Sequence, residues 1–79
     1  MDADKIVEYL KPQYLAIKKL DDGSIIAEGD LLYTRAIYFD CDMCGYGKRY
    51  CFSDRKKADE QFALITSSND VPEGFTAQR

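Results

Sequence analysis

The chain has 79 residues and a formal net charge of −3, with 14 acidic residues, 11 basic residues and no histidine. A chain of this length forms one domain, so we expect residues 1–79 to share a single small fold. The absence of histidine excludes the usual general base near neutral pH and the commonest metal ligand. The acidic balance argues against free nucleic acid as a partner, because domains that bind nucleic acid normally carry a basic excess or a basic stripe.

The first half of the chain predicts one helix followed by three strands. Apolar residues at helical spacing indicate the helix, and Pro12 ends it. An Asp-Asp-Gly turn joins the first two strands, since Asp-Gly tolerates the positive φ of a tight hairpin. Residues 29–30 are expected to form the next turn, before a strand with apolar residues on both faces that belongs at the centre of a sheet. These elements cover, in order, residues 2–10, 14–20, 24–28 and 31–40.

The second half of the chain predicts a loop, a fourth strand, a second helix and a tail. Two glycines indicate the loop, and Ser53 stands where the N-cap of the helix is expected. Ala58, Phe62 and Ile65 form the buried stripe of that helix, at spacings of four and three residues. The tail consists of polar turn residues followed by Val71-Pro72-Glu73-Gly74-Phe75, and it is expected to be a loop that docks Val71 and Phe75 and ends in a partly frayed segment. The four segments cover residues 41–47, 48–52, 54–65 and 66–79.

The order helix, four strands, helix predicts the α+β class. A four-stranded antiparallel sheet with one buried face needs a cover, and the two short helices can supply it. No stretch of the sequence is apolar enough to span a membrane, and the first residues lack a secretory signal pattern. We therefore expect a cytoplasmic domain with reduced thiols and no membrane partner. The sequence does not determine the oligomeric state.

Three closely spaced cysteines raise one alternative, a small zinc-stabilised adaptor. Cys41 and Cys44 form a C-x-x-C-G turn, which is the usual shape of a zinc knuckle, and Cys51 follows seven residues after Cys44. A structural zinc site takes four tetrahedral ligands, so three thiols without a histidine leave the set one ligand short. The same pattern arises when a loop holds two thiols and Cys51 is a small buried residue of the fourth strand. We predict no metal and no cofactor.

A basic cluster around the fourth strand raises a second alternative, a regulatory protein that binds nucleic acid. Tyr46 and Tyr50 are interleaved with the cluster, and aromatic rings among cations can stack bases. Solvated strand and helix faces produce the same pattern, and the chain is acidic overall. The cluster comprises Lys48, Arg49, Arg55, Lys56 and Lys57.

The sequence contains no recognisable catalytic set. No histidine is available to activate a serine or cysteine nucleophile. Gly45 and Gly47 are not followed by the helix that a phosphate-binding loop requires. We therefore predict that the protein works by binding and is not an enzyme.

The last fifty or so residues resemble a set of small proteins encoded by phages and prophages. The resemblance lies in Gly45-Tyr46, in Arg49-Tyr50-Cys51-Phe52 and in the Pro-Glu-Gly-Phe stretch at residues 72–75, which follow an aromatic strand and flank an alanine-bearing helix. The shared pattern is G-Y-x-x-R-Y-C-[FY], a short helix and P-x-G-aromatic. The pair Cys41 and Cys44 does not belong to it.

That resemblance implies an origin and, by analogy, a function. Small acidic phage proteins of this size often inhibit bacterial defences, and anti-CRISPR proteins are the best-known group. We therefore expect a stoichiometric inhibitor that binds a host protein or a CRISPR-type nucleoprotein complex. Residues 1–42 carry nine acidic against five basic residues, which suits a basic partner surface. The predicted partner-binding residues are Tyr33, Tyr38, Asp40, Asp42, Tyr46 and Arg49.

Overall fold

The computed structural model describes residues 3–78 and confirms the α+β class, with two helices and an antiparallel sheet. The expected helix start at Asp2 lies outside the described residues. No helix among the described residues combines the length and apolar character needed to cross a bilayer. The elements are α1 (Ala3–Leu10), a 3-10 turn (Lys11–Gln13), β1 (Ala16–Lys19), β2 (Ile25–Asp30), β3 (Arg35–Phe39), β4 (Lys48–Phe52), α2 (Arg55–Leu64) and β5 (Ala77–Gln78).

The sheet is an antiparallel meander in which each strand pairs with its neighbour along the chain, in the order β1-β2-β3-β4-β5. The predicted central position of β3 is confirmed. The short strand β5 was not predicted, because two residues are too few to give a sequence pattern. It pairs with Tyr50 and Cys51 on β4. The preceding loop residue Thr76 adds hydrogen bonds from its N–H and its hydroxyl to the Cys51 carbonyl.

The sheet is buried on both faces, whereas one buried face was expected. Successive residues of β2 and β3 point to opposite sides, and both sides are apolar. α2 covers one face and α1 covers the other. The α2 side contains Leu20, Ile26, Ile37, Phe39, Tyr50, Phe52, Ala58, Phe62 and Ile65. The α1 side contains Leu10, Ile25, Ala27, Ala36, Tyr38, Cys41 and Cys51, with Ile6, Val7, Tyr14, Ile17 and Leu31 packed against them.

The turn expected at residues 29–30 is wrong, because both residues belong to β2. Gly29 pairs with Ala36 and Asp30 pairs with Arg35, so the chain reverses later, at residues 31–34. Gly29 faces two tyrosine rings, and a Cβ there would lie 3.4 Å from Tyr38 Cε2 and 3.5 Å from Tyr14 Cδ1. Gly29 therefore leaves room for the two tyrosine rings on the α1 side of the sheet and is not a turn residue.

The N-cap of α2 is Asp54 and not Ser53 as predicted. Asp54 has an extended backbone, and its Oδ1 accepts hydrogen bonds from the N–H groups of Lys56 and Lys57 at 3.0 and 3.3 Å. Both residues are good N-caps, and the carboxylate adds a favourable interaction with the helix dipole. The predicted stripe of Ala58, Phe62 and Ile65 is buried, as expected.

Candidate functional site

Four of the six predicted partner-binding residues lie in the segments that flank β3, whereas Tyr38 lies within β3 and Arg49 within β4. Tyr33 precedes β3, whereas Asp40, Asp42 and Tyr46 follow it. An extended strand advances about 3.3 Å per residue, so Tyr33 and Asp40 are on the order of 20 Å apart. The structure therefore divides the predicted set between two surfaces. We call residues 31–34 the hairpin tip and residues 40–47 the acidic loop.

The hairpin tip presents two large side chains to solvent. The Leu31 N–H donates to the Thr34 carbonyl at 2.8 Å and closes the turn. Leu32 is 82% exposed and Tyr33 is 83% exposed. Turns of this kind normally carry Gly, Asn, Asp or Ser, which supply turn geometry or local hydrogen bonds. The geometry of the turn therefore does not require Leu32 and Tyr33. Two large, adjacent and exposed side chains with apolar surface are typical of interaction sites.

Arg35 fixes the base of the hairpin tip. Its Nε donates to Asp30 Oδ1 at 2.9 Å across the hairpin, and its Nη1 donates to Asp59 Oδ1 on α2 at 2.8 Å. Arg55 adds a contact from its Nε to Asp30 Oδ1 at 3.3 Å. The hydrogen bond from Arg35 lowers the pKa of Asp30, which therefore stays ionised. These bonds tie β2, β3 and α2 together, so Leu32 and Tyr33 project from a supported turn.

The acidic loop is a tight turn built by its own carboxylate. Asp42 Oδ1 accepts a hydrogen bond from the Cys44 N–H at 2.8 Å, and the backbone of Asp42 pairs with that of Gly45. Asp40 has a φ of 57°, in the left-handed region that Asp and Asn tolerate better than most residues. Asp40 and Asp42 are both exposed. The loop therefore carries two carboxylates that also suit its backbone geometry.

An aromatic cluster supports the acidic loop from the α1 side of the sheet. The Tyr38 ring centroid lies 5.3 Å from that of Tyr14 and 4.8 Å from that of Tyr46. Arg49 pairs with Tyr38 across the strands and approaches the Tyr46 ring at 6.0 Å. Tyr46 is exposed, whereas Tyr38 is buried. The Tyr46 ring is therefore accessible to a partner, and its packing against Tyr38 fixes its position.

Sequence reasoning missed Tyr14, which completes this cluster. Burial raises the pKa of Tyr14, and the neighbouring Cys41, Tyr38 and Tyr46 groups add to the increase. The one available signal was Gly29, because a glycine inside a strand often marks close packing of another group. That signal was assigned to a turn instead.

The three cysteines do not converge. Cys41 and Cys51 are buried in the core on the α1 side, whereas Cys44 is exposed in the acidic loop. Burial raises the pKa of the Cys41 thiol to about 12, and the nearby Asp40 and Asp42 carboxylates act in the same direction. Across residues 3–78, no group of three or more Cys, Asp or Glu side chains is arranged to hold a metal ion.

The basic cluster is divided between different parts of the surface. Lys48 lies over the rings of Phe39 and Tyr50 on the α2 side, with its Nζ 5.3 and 5.9 Å from their centroids. Arg49, the next residue of β4, points to the opposite face beside Tyr46. Arg55 is engaged with Asp30. These cations do not form one continuous stripe for a phosphate backbone.

A scan against protein-family models, a search of curated proteins and a search of solved structures found no match to this chain.

Proposed function

We propose that the domain is a phage- or prophage-encoded inhibitor of a bacterial defence system, of the anti-CRISPR type. It acts stoichiometrically in the host cytoplasm by binding a nucleoprotein complex. One observation carries this proposal: Leu32 and Tyr33 are more than four-fifths exposed on a turn whose base is braced by Arg35. A supported aromatic or aliphatic anchor loses little conformational entropy on binding, which favours tight association.

The acidic loop supports the choice of a basic partner surface. Asp40 and Asp42 are exposed beside Tyr46, which is 43% exposed. Carboxylates that approach a basic channel increase the association rate, and salt screening reduces that gain. The net charge of −3 favours such a target over free nucleic acid.

A phage-plating assay tests this proposal directly. Bacterial strains that each carry one CRISPR type are given the gene for the wild-type protein or for a variant, and phage are plated on them. We expect wild-type protein to restore plating on at least one strain. Leu32→Ala and Tyr33→Ala should each reduce this effect, because truncation of an interface anchor typically costs about 2 kcal/mol or more of binding energy.

The acidic loop needs substitutions that preserve its turn. Asn tolerates the left-handed backbone of Asp40 and can accept the Cys44 hydrogen bond in place of Asp42. The double variant Asp40→Asn with Asp42→Asn therefore removes charge with little change in geometry. We expect weaker protection from it.

A second pair of substitutions removes the same number of charges, of opposite sign, from a different part of the surface. Lys56→Gln with Lys57→Gln removes two charges from the first turn of α2 and should leave protection nearly unchanged. The proposal is contradicted if wild-type protein protects no strain while it is folded by circular dichroism. A defect in the lysine variant alone would instead identify the basic residues of α2 as the site.

A further inference from the structure

Glu28 is a buried acid in the middle of β2. It is 5% exposed, and no donor among the described residues forms a hydrogen bond to its Oε2. Glu28 pairs with Ala16 on β1 and Ile37 on β3, so neither strand neighbour offers a charge directly opposite. Its side chain lies on the α2 side of the sheet, where Arg35 Nη1 is 4.0 Å from Glu28 Oε2 and 2.8 Å from Asp59 Oδ1, so the two carboxyl groups are neighbours.

Arg35 on β3 is the cation that approaches Glu28, and two of its N–H donors are engaged with other carboxylates. Arg35 Nη1 lies 4.0 Å from Glu28 Oε2 but only 2.8 Å from Asp59 Oδ1. Its Nε donates to Asp30 at 2.9 Å. An ionised Glu28 would therefore be a buried charge without a close donor, next to a second carboxylate. Such an arrangement is costly in a protein interior, and protonation relieves it.

The other charged groups on this face do not change that conclusion. On β2, Asp30 adds negative charge near Glu28. On α2, Arg55 donates to Asp30. On β1, Lys18 donates to the Phe62 carbonyl at 2.8 Å and lies over the Phe62 ring.

We propose that Glu28 and Asp59 share one proton, and that loss of this proton as pH rises loosens the contact between α2 and the sheet. The protonated Glu28 carboxyl donates a hydrogen bond to the Asp59 carboxylate. Burial, followed by the contact with Asp59, raises the pKa of Glu28 to about 7. The same hydrogen bond lowers the pKa of Asp59. The proposal depends on the packing of α2 and not on the identity of any partner.

The effect on stability follows from the direction of the shift. The pKa of Glu28 is raised above its ordinary value of 4.5, so the folded state holds the proton more tightly than the unfolded chain does. The resulting stabilisation is fully present below the unfolded pKa and is lost as pH rises through about 7. Asp59 also anchors Arg35, which braces the hairpin tip. Loss of the shared proton therefore also affects the support of Leu32 and Tyr33.

The decisive variant is Glu28→Gln, because the Gln amide can donate to Asp59 at every pH. Chemical denaturation is measured between about pH 5 and pH 8 for both proteins. We expect the folding equilibrium constant of the wild type to fall by up to roughly 100-fold over this range through Glu28, and that of Glu28→Gln to stay much flatter. Equal pH dependence in the two proteins would overturn the proposal.

Two further measurements keep the test independent of how well Glu28→Gln folds. Carbon-13 NMR of the side-chain carboxyl of Glu28 in the wild type should show a titration midpoint well above 4.5. In Asp59→Asn the midpoint should move down, because the Asn amide can donate to the ionised form. A wild-type midpoint near 4.5 would refute the shared proton. Glu60→Gln, an exposed neighbour on α2, should leave the midpoint unchanged and serves as the control.

Discussion

Asp22, in the turn between β1 and β2, accepts two hydrogen bonds through its Oδ2 from Ser68, 46 residues later in the chain. The Ser68 N–H donates at 2.8 Å and the Ser68 hydroxyl at 2.9 Å. The other carboxylate oxygen of Asp22 accepts from the N–H and hydroxyl of Ser24. One carboxylate therefore closes its own turn and also holds the segment that follows α2.

We expect Asp22→Asn to lower the free energy of unfolding, because an amide has one acceptor oxygen and cannot accept from the backbone N–H groups of both Ser24 and Ser68 through separate oxygens. The hydrogen bonds from Ser24 and Ser68 hold the pKa of Asp22 well below its ordinary value of 3.8. Its stabilisation is therefore present above 3.8 and is lost as pH falls through the lowered pKa. Urea denaturation at neutral and acidic pH measures this. Asp21→Asn, on the adjacent exposed residue, is the control, and an equal loss there would show that the bonds to Ser68 are unimportant.

We expect Phe62→Ala to destabilise the domain by about 3–5 kcal/mol, the usual cost of removing a buried Phe side chain. Phe62 is 8% exposed in the core between α2 and the sheet. Leu64→Ala, on the exposed side of the same helix, should change the free energy of unfolding by only about 0.5 kcal/mol. Denaturation curves for the two variants check the assignment, which fails if they shift equally.

We expect one of the three thiols to react rapidly with an alkylating reagent at about pH 8. Cys44 is exposed in the acidic loop, whereas Cys41 and Cys51 are buried. Burial also keeps the Cys41 thiol protonated, since its pKa is raised to about 12. Mass spectrometry should show a single early adduct in the native protein and three after denaturation. Cys44→Ser should abolish the early adduct, and its persistence would show that a buried thiol is accessible.

We expect the purified protein to lack stoichiometric zinc, because only Cys44 of the three thiols is accessible and a structural site needs four ligands. Elemental analysis after expression with added zinc measures this. About one zinc per chain, together with unfolding on addition of a chelator, would contradict it and favour the adaptor. Cys41→Ala distinguishes a specific site from adventitious binding through Cys44.

The apolar pattern predicted most of the fold correctly. Ala58, Phe62 and Ile65 were assigned to one helix face by spacing alone, and all three are buried. The turn after β2 was misplaced because Gly29 was interpreted as a turn residue, whereas it accommodates two tyrosine rings. Leu32 forms the actual turn with its neighbour, and an apolar pair there gives no turn signal. Local chemistry thus predicted the elements better than it predicted where they end.

The candidate surfaces were harder to predict, because they depend on which elements meet. Tyr33 and Tyr46 were both named from sequence, yet their separation at opposite ends of β3 required the strand boundaries. Nothing in the sequence pattern distinguishes Glu28 from the other acidic residues of the chain. It is buried because α2 covers its face of the sheet, and this packing joins residues about thirty positions apart. Periodicity cannot reveal such a contact.

The meander order of the sheet has a consequence for the kinetics of folding. Every strand pairs with its chain neighbour, so the hairpins between β1 and β4 can form before the rest of the chain is synthesised. Among the described elements, α2, the short β5 and the hydrogen bonds between Asp22 and Ser68 require residues that are synthesised later. Loop closure is therefore local for most of the molecule, and its entropic barrier is small. We therefore expect such a chain to reach its native state soon after it leaves the ribosome.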